Sequence, residues 1–300
     1  VINGYYYGIQ NATVPSITQI VEQISRLSFV FILLIIFPGS AEHNCIIAVW
    51  GIVVGEIVSA VYNVYKYMHQ PKKDKANALS SFRHGLRHYS VPLLSLSTSL
   101  TGTKLVIALL HSAESVFIAA ALRQYGCSTK EALSIYGIIS GMVMPFILFP
   151  SSITNAIALM LLPAVATSSS DGDHAKVHRY FSTSNKYSLL LGGACTAFFM
   201  IFGNFLGDFC FHDQTAGEFL RLFSLLCPFL YMSTTLTSII NGLGKTKDTF
   251  LITCVSQSMK LFCLVALVPH FGIMAYIYGT ILSQAFMALL CYLTARHLLA

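Results

Sequence analysis

Long apolar runs alternate with short polar connections along almost the whole chain. A helix needs about 20 residues to cross a bilayer, and eight runs reach that length. They lie near 16–37, 45–66, 89–113, 133–166, 186–208, 218–240, 249–269 and 273–295. Backbone groups find no water in lipid, so these runs should be helices, and they lack the polar–apolar alternation of membrane-barrel strands. The pattern predicts an all-α, polytopic membrane helical bundle.

The composition agrees with a protein that is embedded in lipid. Hydrophobic residues make up 55% of the chain and charged residues only 10%, whereas ordinary globular domains contain about 25% charged residues. Too few charges remain to cover the surface of a large soluble domain. The class of large water-soluble proteins is therefore excluded.

Basic residues concentrate in the connections on one side of the predicted membrane. Twelve of the 18 lysines and arginines lie there: Lys66, Lys72, Lys73, Lys75, Arg83, Arg87, Lys176, Arg179, Lys186, Lys245, Lys247 and Arg296. The opposite side has Arg123, Lys130 and Arg221. By the positive-inside rule, connection 66–88 and the C-terminus are cytoplasmic in a multi-pass protein of the cell membrane. Contact with anionic membrane lipids explains the net charge of +6 without a nucleic-acid partner.

Motifs for covalent chemistry are absent from the sequence. It contains no GxxxxGK[ST], HExxH or GxSxG pattern, and "GLGKTKD" at 242–248 lacks the spacing of a phosphate loop. The eight cysteines form no CxxC pair, so neither a metal site nor a disulfide framework is indicated. The sequence predicts a protein that is not an enzyme and has no cofactor and no metal.

Two distant segments share a polar pattern. Shifting the chain by 234 residues places "GIQNATVPSITQIVEQISRL" on "GLGKTKDTFLITCVSQSMKL". In each copy, positions i, i+3, i+4 and i+7 form one polar helix face that ends in a cation. These residues are Gln19, Glu22, Gln23 and Arg26 in the first copy, and Thr253, Ser256, Gln257 and Lys260 in the second.

The helix that follows each segment repeats as well, at an offset of 228 residues. Trp50-Gly51 falls on Tyr278-Gly279, and Glu56 falls on Gln284. Both helix pairs run in the same direction, which predicts a parallel internal repeat; the alternative is a chance likeness between apolar helices. Four spans precede the second pair, so the chain is expected to be a fragment of a two-lobe (6+6) protein. The predicted parts are 1–66, the last two helices of the N-terminal lobe, 67–88, a basic cytoplasmic linker, and 89–300, the C-terminal six-helix lobe.

Three stretches carry a family resemblance: "GYYYGIQNATVPSITQIVEQISRL", "YGCSTKEALSIYGIISGMVMPFILFPSSITNAIALMLLPAVA" and "NGLGKTKDTF". They resemble the stage V sporulation protein B and polysaccharide-exporter branch of the multidrug/oligosaccharidyl-lipid/polysaccharide exporter superfamily. The resemblance implies two six-helix lobes around a central cavity and alternating access. It also implies translocation of a lipid-linked saccharide, such as a cell-wall, spore-cortex or polysaccharide precursor.

Three cations in the spans are candidate substrate-cavity residues: Arg26, Lys260 and Lys104. A charge within the membrane is costly and usually faces protein or a wet cavity. Arg26 has two interpretations, a local pair with Glu22 or a contact with an anionic headgroup, whose phosphates suit the planar guanidinium. Lys260 has no acid at i−4, so it is expected to be an unpaired cavity cation; the alternative is snorkelling along its helix.

Other polar residues complete the predicted site. Glu22, Gln23, Gln257 and Asn155 are further candidates to line the cavity. Glu56 and Glu114 are candidates for ion coupling or for structural pairing, with Glu114 expected at the outer end of its span. Prolines interrupt the span 133–166, and Pro145 and Pro150 are its candidate hinge residues, although such kinks also occur in static helices. The basic segment near 167–187 is expected to include a short amphipathic helix on the membrane surface.

The predicted function is a flippase or exporter of a lipid-linked saccharide, which would contact membrane lipids and the lipid-linked oligosaccharide. Energy would come from the membrane potential or from a gradient of a coupling ion, H⁺ or Na⁺. The alternative is an ion-coupled multidrug antiporter of the same superfamily, which would need a cavity dominated by acids. A membrane enzyme would need a cluster of histidines or paired acids at one face, and the sequence offers none that is convincing.

Overall fold

The structure is a computed structural model that describes residues 13–69 and 104–299, together with Ile2, Asn3, Tyr6 and Thr101. The chain forms two compact units, Val1–Pro92 and Leu93–Ala300. From residue 70 onward, the predicted linker 67–88 lies outside the described residues.

Eight helices in the described part of the chain are long and apolar enough to cross a membrane. They are α1 (Thr13–Ile36), α2 (Ala41–Met68), α3 (Lys104–Tyr125), α4 (Thr129–Ser170), α5 (His174–Phe211), α6 (Gln214–Gly242), α7 (Thr246–Phe271) and α8 (Ile273–Leu299). The prediction of an all-α membrane bundle with eight spans is confirmed.

Helices α1 and α2 form a tightly packed pair in the first unit. A Cβ added to Gly51 would lie 2.2 Å from Val30 Cγ2, and one added to Gly55 would lie 3.2 Å from the carbonyl oxygen of Glu22. Only glycine leaves room for the Val30 side chain at residue 51. Near one end of the pair, buried Thr18 donates a hydrogen bond of 3.0 Å to Asn63 Oδ1.

Helices α7 and α8 in the second unit also pack closely at a glycine. A Cβ added to Gly279 would lie 2.9 Å from Cys263 Cβ. Gly279 is the equivalent of Gly51 in the predicted repeat, and their contact residues, Cys263 and Val30, differ by one position in the repeat register. The two helix pairs therefore place a glycine at the same crossing point, which supports the interpretation of an internal repeat.

Helix α6 is the centre of the second unit. It contributes to two buried apolar clusters, one with α3, α4, α5, α7 and α8 and one with α4, α5, α7 and α8. Of its most apolar 18-residue stretch, 61% is buried, whereas the corresponding shares of the other helices in this unit are 17–33%. Helix α6 is thus shielded by protein, and the helices around it carry the exposed apolar surface.

Helix α4 is continuous, although the sequence predicted a broken span. A π-helical segment, Ile139–Val143, precedes Pro145. The wider π turn accommodates a residue that has no backbone N–H and whose ring would otherwise crowd the preceding turn. Three residues before Pro150, the carbonyl of Ile147 accepts a hydrogen bond of 2.8 Å from the hydroxyl of Tyr231 on α6. A hinge at Pro145 or Pro150 stays a prediction.

Replacing Tyr231 by Phe tests this contact between α6 and α4. Tyr231 is fully buried, so its lost hydrogen bond should lower the free energy of unfolding by about 1 kcal/mol. The measurement is the thermal unfolding midpoint of the purified protein in detergent. Tyr187→Phe is the matched control because Tyr187 is 62% exposed. Equal midpoints for the two variants would contradict the assignment.

Helix α3 lies further along the chain than predicted. The expected span 89–113 begins outside the described residues, and the helix continues to Tyr125. The polar residues around Glu114 suggested the end of a span, but Glu114 is buried with partners on other helices and lies within α3. Glu114 is therefore shielded by protein within α3, and its position relative to the membrane surface stays a prediction.

Helix α5 begins earlier than predicted. Asp173 caps its first turn by accepting a 3.0 Å hydrogen bond from the backbone N–H of Lys176. From there the helix runs without a break, with Val177 and Phe181 buried and Lys176 and Arg179 exposed. The predicted short surface helix near 167–187 is therefore wrong, because the basic turns are the first part of a continuous helix.

Candidate headgroup-binding site

The first candidate cation, Arg26, is paired within its own helix. Its Nη2 lies 2.7 Å from Glu22 Oε1, one turn earlier on α1. The side chains of Arg26 and Glu22 are 27% and 19% exposed, respectively. The local pair that the sequence allowed is present, and part of the guanidinium remains accessible.

Helix α2 packs directly against this pair. A Cβ added to Gly55 would lie 3.3 Å from Arg26 Cβ and 3.5 Å from Arg26 Nε. Arg26 Nε is buried and has no hydrogen-bond partner in the described part of the chain. The guanidinium thus has one nitrogen bound to Glu22 and its Nε covered by α2, so an oxyanion, the group that a guanidinium binds best, would have to bind the part that stays exposed.

The second candidate cation, Lys260, forms a salt bridge between helices. Its Nζ lies 2.5 Å from Oε1 of Glu114 on α3. The same carboxylate oxygen accepts a hydrogen bond of 2.6 Å from the hydroxyl of Tyr276 on α8. The other oxygen lies 3.3 Å from His111 Nδ1, one turn earlier on α3. The ammonium also lies 5.6 Å from the centre of the Tyr276 ring, a cation–π arrangement.

The prediction that Lys260 lacks an acidic partner is wrong. The sequence argument searched the same helix for an acid at i−4, whereas Glu114 lies 146 positions earlier and reaches Lys260 through helix packing. The Glu114 and Lys260 side chains are only 10% and 13% exposed. Two opposite charges that are buried to this extent stabilise each other, because either one alone would be a costly buried charge.

Sequence reasoning also missed Tyr276. This residue is buried on α8 and is the only aromatic side chain described here that contacts both charges of the pair. Its equivalent in the first copy is Ala48, so the repeat carried no signal for it. A usable signal was the presence of two opposite charges in separate apolar spans, which requires them and their polar partners to meet.

The remaining predicted cavity residues have few described contacts. Gln23 and Asn155 are exposed on α1 and α4, and Lys104 is exposed at the first residue of α3. Gln257 is half-buried on α7. They lie on helices of two separate units, and within the second unit the structure brings together Lys260 and Glu114 from the predicted set.

Glu56 is exposed on α2. At the equivalent position on α8, Gln284 donates a 2.8 Å hydrogen bond to Ser233 Oγ on α6. This position of the repeat thus carries a polar side chain that is suited to contact a neighbouring helix. The coupling role of Glu56 stays a prediction.

Among the described residues, no group of three or more histidine, cysteine, aspartate or glutamate side chains is arranged to hold a metal ion. What both candidate sites do offer is a cation with a carboxylate partner. Such a site can bind an anion by exchange of partners, and the exchange leaves the carboxylate without its cation.

Comparison with known protein families shows which family the chain belongs to. Residues 1–169, more than half of it, match the polysaccharide biosynthesis protein family. The chain belongs to this family. Residues 105–264 also match the MatE family. Both families are members of the multidrug/oligosaccharidyl-lipid/polysaccharide exporter superfamily, which confirms the resemblance seen in the sequence.

Two proteins of Bacillus subtilis (strain 168) are similar to this member of the polysaccharide biosynthesis protein family. Stage V sporulation protein B is 24% identical over 294 residues, which cover 97% of this chain and 57% of that protein. Sporulation protein YkvU is 22% identical over 253 residues, which cover 83% of this chain and 56% of that protein. The chain thus spans just over half the length of these relatives.

The Vibrio cholerae MATE transporter VcmN, in a crystal structure of its bent form, has a similar fold. The TM-score is 0.65 at 15% identity, and the match covers 99% of this chain and 65% of that chain. At this identity the likeness concerns the fold alone, a MATE-like helical bundle. The family and the eight apolar helices together identify a multi-pass membrane protein.

Proposed function

We propose that this chain is part of a membrane flippase or exporter that translocates a lipid-linked saccharide by alternating access. The observation that carries the proposal is that each of the two units holds a partly shielded cation with a carboxylate partner, Arg26 with Glu22 and Lys260 with Glu114. Membership of the polysaccharide biosynthesis protein family supports a saccharide-linked substrate.

The cations are proposed to bind the anionic headgroup. A pyrophosphate that links a sugar to its lipid carries several oxyanions, and both guanidinium and ammonium groups bind such oxygens with charge-assisted hydrogen bonds. Gln23, Gln257 and Asn155 are proposed to contact the sugar, while the lipid tail stays in the bilayer. The exposed Lys104 is proposed to attract the headgroup by its charge.

The orientation is also part of the proposal. The basic side, with Lys176 and Arg179 on the first turns of α5 and Arg296 near the end of α8, would face the cytoplasm of a cell membrane. All three side chains are exposed, as contact with anionic lipid headgroups requires. Transport would be driven by the membrane potential or by an H⁺ or Na⁺ gradient, with Glu56 as a candidate coupling residue.

The test uses the complete protein in liposomes and measures flipping of a fluorescent polyprenyl pyrophosphate. Arg26→Gln should lower the flipping rate about tenfold, because one charge-assisted contact contributes about 1.5–3 kcal/mol. The double variant Glu114→Gln/Lys260→Gln should lower it similarly without leaving a buried charge unpaired. Lys176→Gln, at an exposed lysine outside the proposed site, is the control.

The proposed function fails if both variants flip the pyrophosphate lipid at the wild-type rate with normal membrane abundance. A cationic dye provides the second arm of the experiment. Efficient transport of the dye together with no transport of the pyrophosphate lipid would favour a multidrug antiporter instead.

A further inference from the structure

The carboxylate of Glu114 on α3 forms polar contacts with two other helices. Its polar partners are Lys260 on α7, Tyr276 on α8 and His111 on α3 itself. The Glu114 side chain is only 10% exposed, whereas that of His111 is 55% exposed. The contact is therefore a buried connection between three helices that has one accessible edge.

Glu114 lies where α3 enters the protein interior. Ile118, Ala121 and Leu122 follow it and belong to the buried core of the unit. Before it, the described residues Lys104–Ala113 include no buried side chain, and Leu105 and Leu109 are 61% and 62% exposed. Within the described part of α3, Glu114 is thus the first buried residue, and the ten residues before it, 104–113, form its exposed first half.

The corresponding pair in the first unit differs in one respect. Glu22 and Arg26 lie one turn apart on the same helix, so loss of their contact releases no helix from another. Loss of the Glu114–Lys260 contact removes a link between α3 and α7. Only the second pair can convert an exchange of ionic partners into a change of helix packing.

An anionic headgroup that reached Lys260 would compete with Glu114 for the same ammonium. Lys260 has three donors on a flexible stem, and it stays charged and hydrogen-bonded when a phosphate oxygen replaces the carboxylate. Glu114 then keeps its neutral partner Tyr276 and the His111 imidazole but loses its lysine. A carboxylate without its cation is unfavourable in a buried position, which favours movement of Glu114 toward water.

We propose that the Glu114–Lys260 salt bridge is a latch that an anionic, phosphate-bearing headgroup opens, and that its opening releases the first half of α3. This inference rests on the proposed function and adds a conformational response to headgroup binding at Lys260. Substrate binding and helix movement are then coupled, because the substrate takes the lysine that holds α3 in place.

Hydrogen–deuterium exchange of the complete protein in nanodiscs tests the latch. In the wild type, saturating polyprenyl pyrophosphate should raise amide exchange in 104–113 about threefold or more, while 116–125 stays protected by the core. Polyprenol, which lacks the phosphates, should have no effect. Glu114→Gln should show the raised exchange without any ligand and respond little to it. Glu218→Gln, at an exposed carboxylate of the same unit, is the matched control.

Tyr276→Phe is a second variant for the case in which Glu114→Gln does not fold. It removes one hydrogen bond to the carboxylate and keeps the ring beside Lys260, so exchange in 104–113 should rise to an intermediate level. The latch is overturned if wild-type protein binds the pyrophosphate probe while exchange in 104–113 is unchanged, or if both variants match the wild type without ligand. Absence of probe binding to the wild type would overturn the proposed function, and the ligand-operated latch with it.

Discussion

Lys260→Gln is expected to lower the free energy of unfolding by about 3–5 kcal/mol, because it leaves the Glu114 carboxylate buried without its cation. The residual hydrogen bonds from Tyr276 and His111 do not replace a full positive charge 2.5 Å away. Thermal unfolding in detergent, supported by steric trapping or proteolysis in bilayers, provides the measurement.

The double variant Glu114→Gln/Lys260→Gln should recover most of that loss. Glutamine at position 114 has the shape of glutamate and still accepts the hydrogen bond from Tyr276, and no unpaired charge remains. A double-mutant cycle then gives the coupling between the two residues. If the double variant is as unstable as the sum of the two single variants, the charges act independently and the buried pair is not a stabilising unit.

Gly192→Ala is expected to destabilise the second unit by about 3 kcal/mol, at the upper end of the cost of overpacking. The added Cβ would lie 2.3 Å from Pro228 Cα and 2.8 Å from Pro228 N. Those are backbone atoms in the middle of α6, so a rotamer change cannot relieve the clash. The unfolding midpoint should fall by several degrees.

The neighbouring glycine provides an unusually close control. A Cβ added to Gly193 meets no atom within 4 Å, and alanine is a better helix former than glycine by roughly 0.5–1 kcal/mol. Gly193→Ala should therefore leave the stability unchanged or raise it slightly. Similar losses for the two variants would show that the contact of α5 with Pro228 does not determine the packing here.

Much of this fold could be predicted from the sequence because lipid restricts the secondary structures that can span a membrane. Apolar length predicted the eight helices, and the shared polar face predicted the repeat, which Gly51 and Gly279 support by occupying equivalent crossings. Helix ends were less predictable. Near Glu114 and near His174, polar residues belong to continuing helices, because their polarity is satisfied by packing partners or by water outside the membrane.

The sequence predicted which types of residue form the candidate site, but it did not predict which of them form salt bridges with each other. Arg26 and Glu22 are neighbours on a helix, so their contact follows from spacing alone. Lys260, Glu114 and Tyr276 come from three helices, and no local pattern determines which faces meet. Packing between helices gives Lys260 its acidic partner, whereas the sequence of its own helix predicted that it has none.

The burial of α6 bears on how the protein is made. Its stretch of highest mean hydropathy reaches 1.5, below the values for α3, α4, α5, α7 and α8. Its buried residues include Ser233, Thr235 and Ser238, hydroxyl-bearing side chains that lipid alone accommodates poorly. Among the described helices of this unit, α6 therefore has the weakest tendency to partition alone from the translocon into the bilayer during biosynthesis. Its insertion would depend on packing against helices that are already in the membrane. These are above all α4 and α5, which are synthesised just before it.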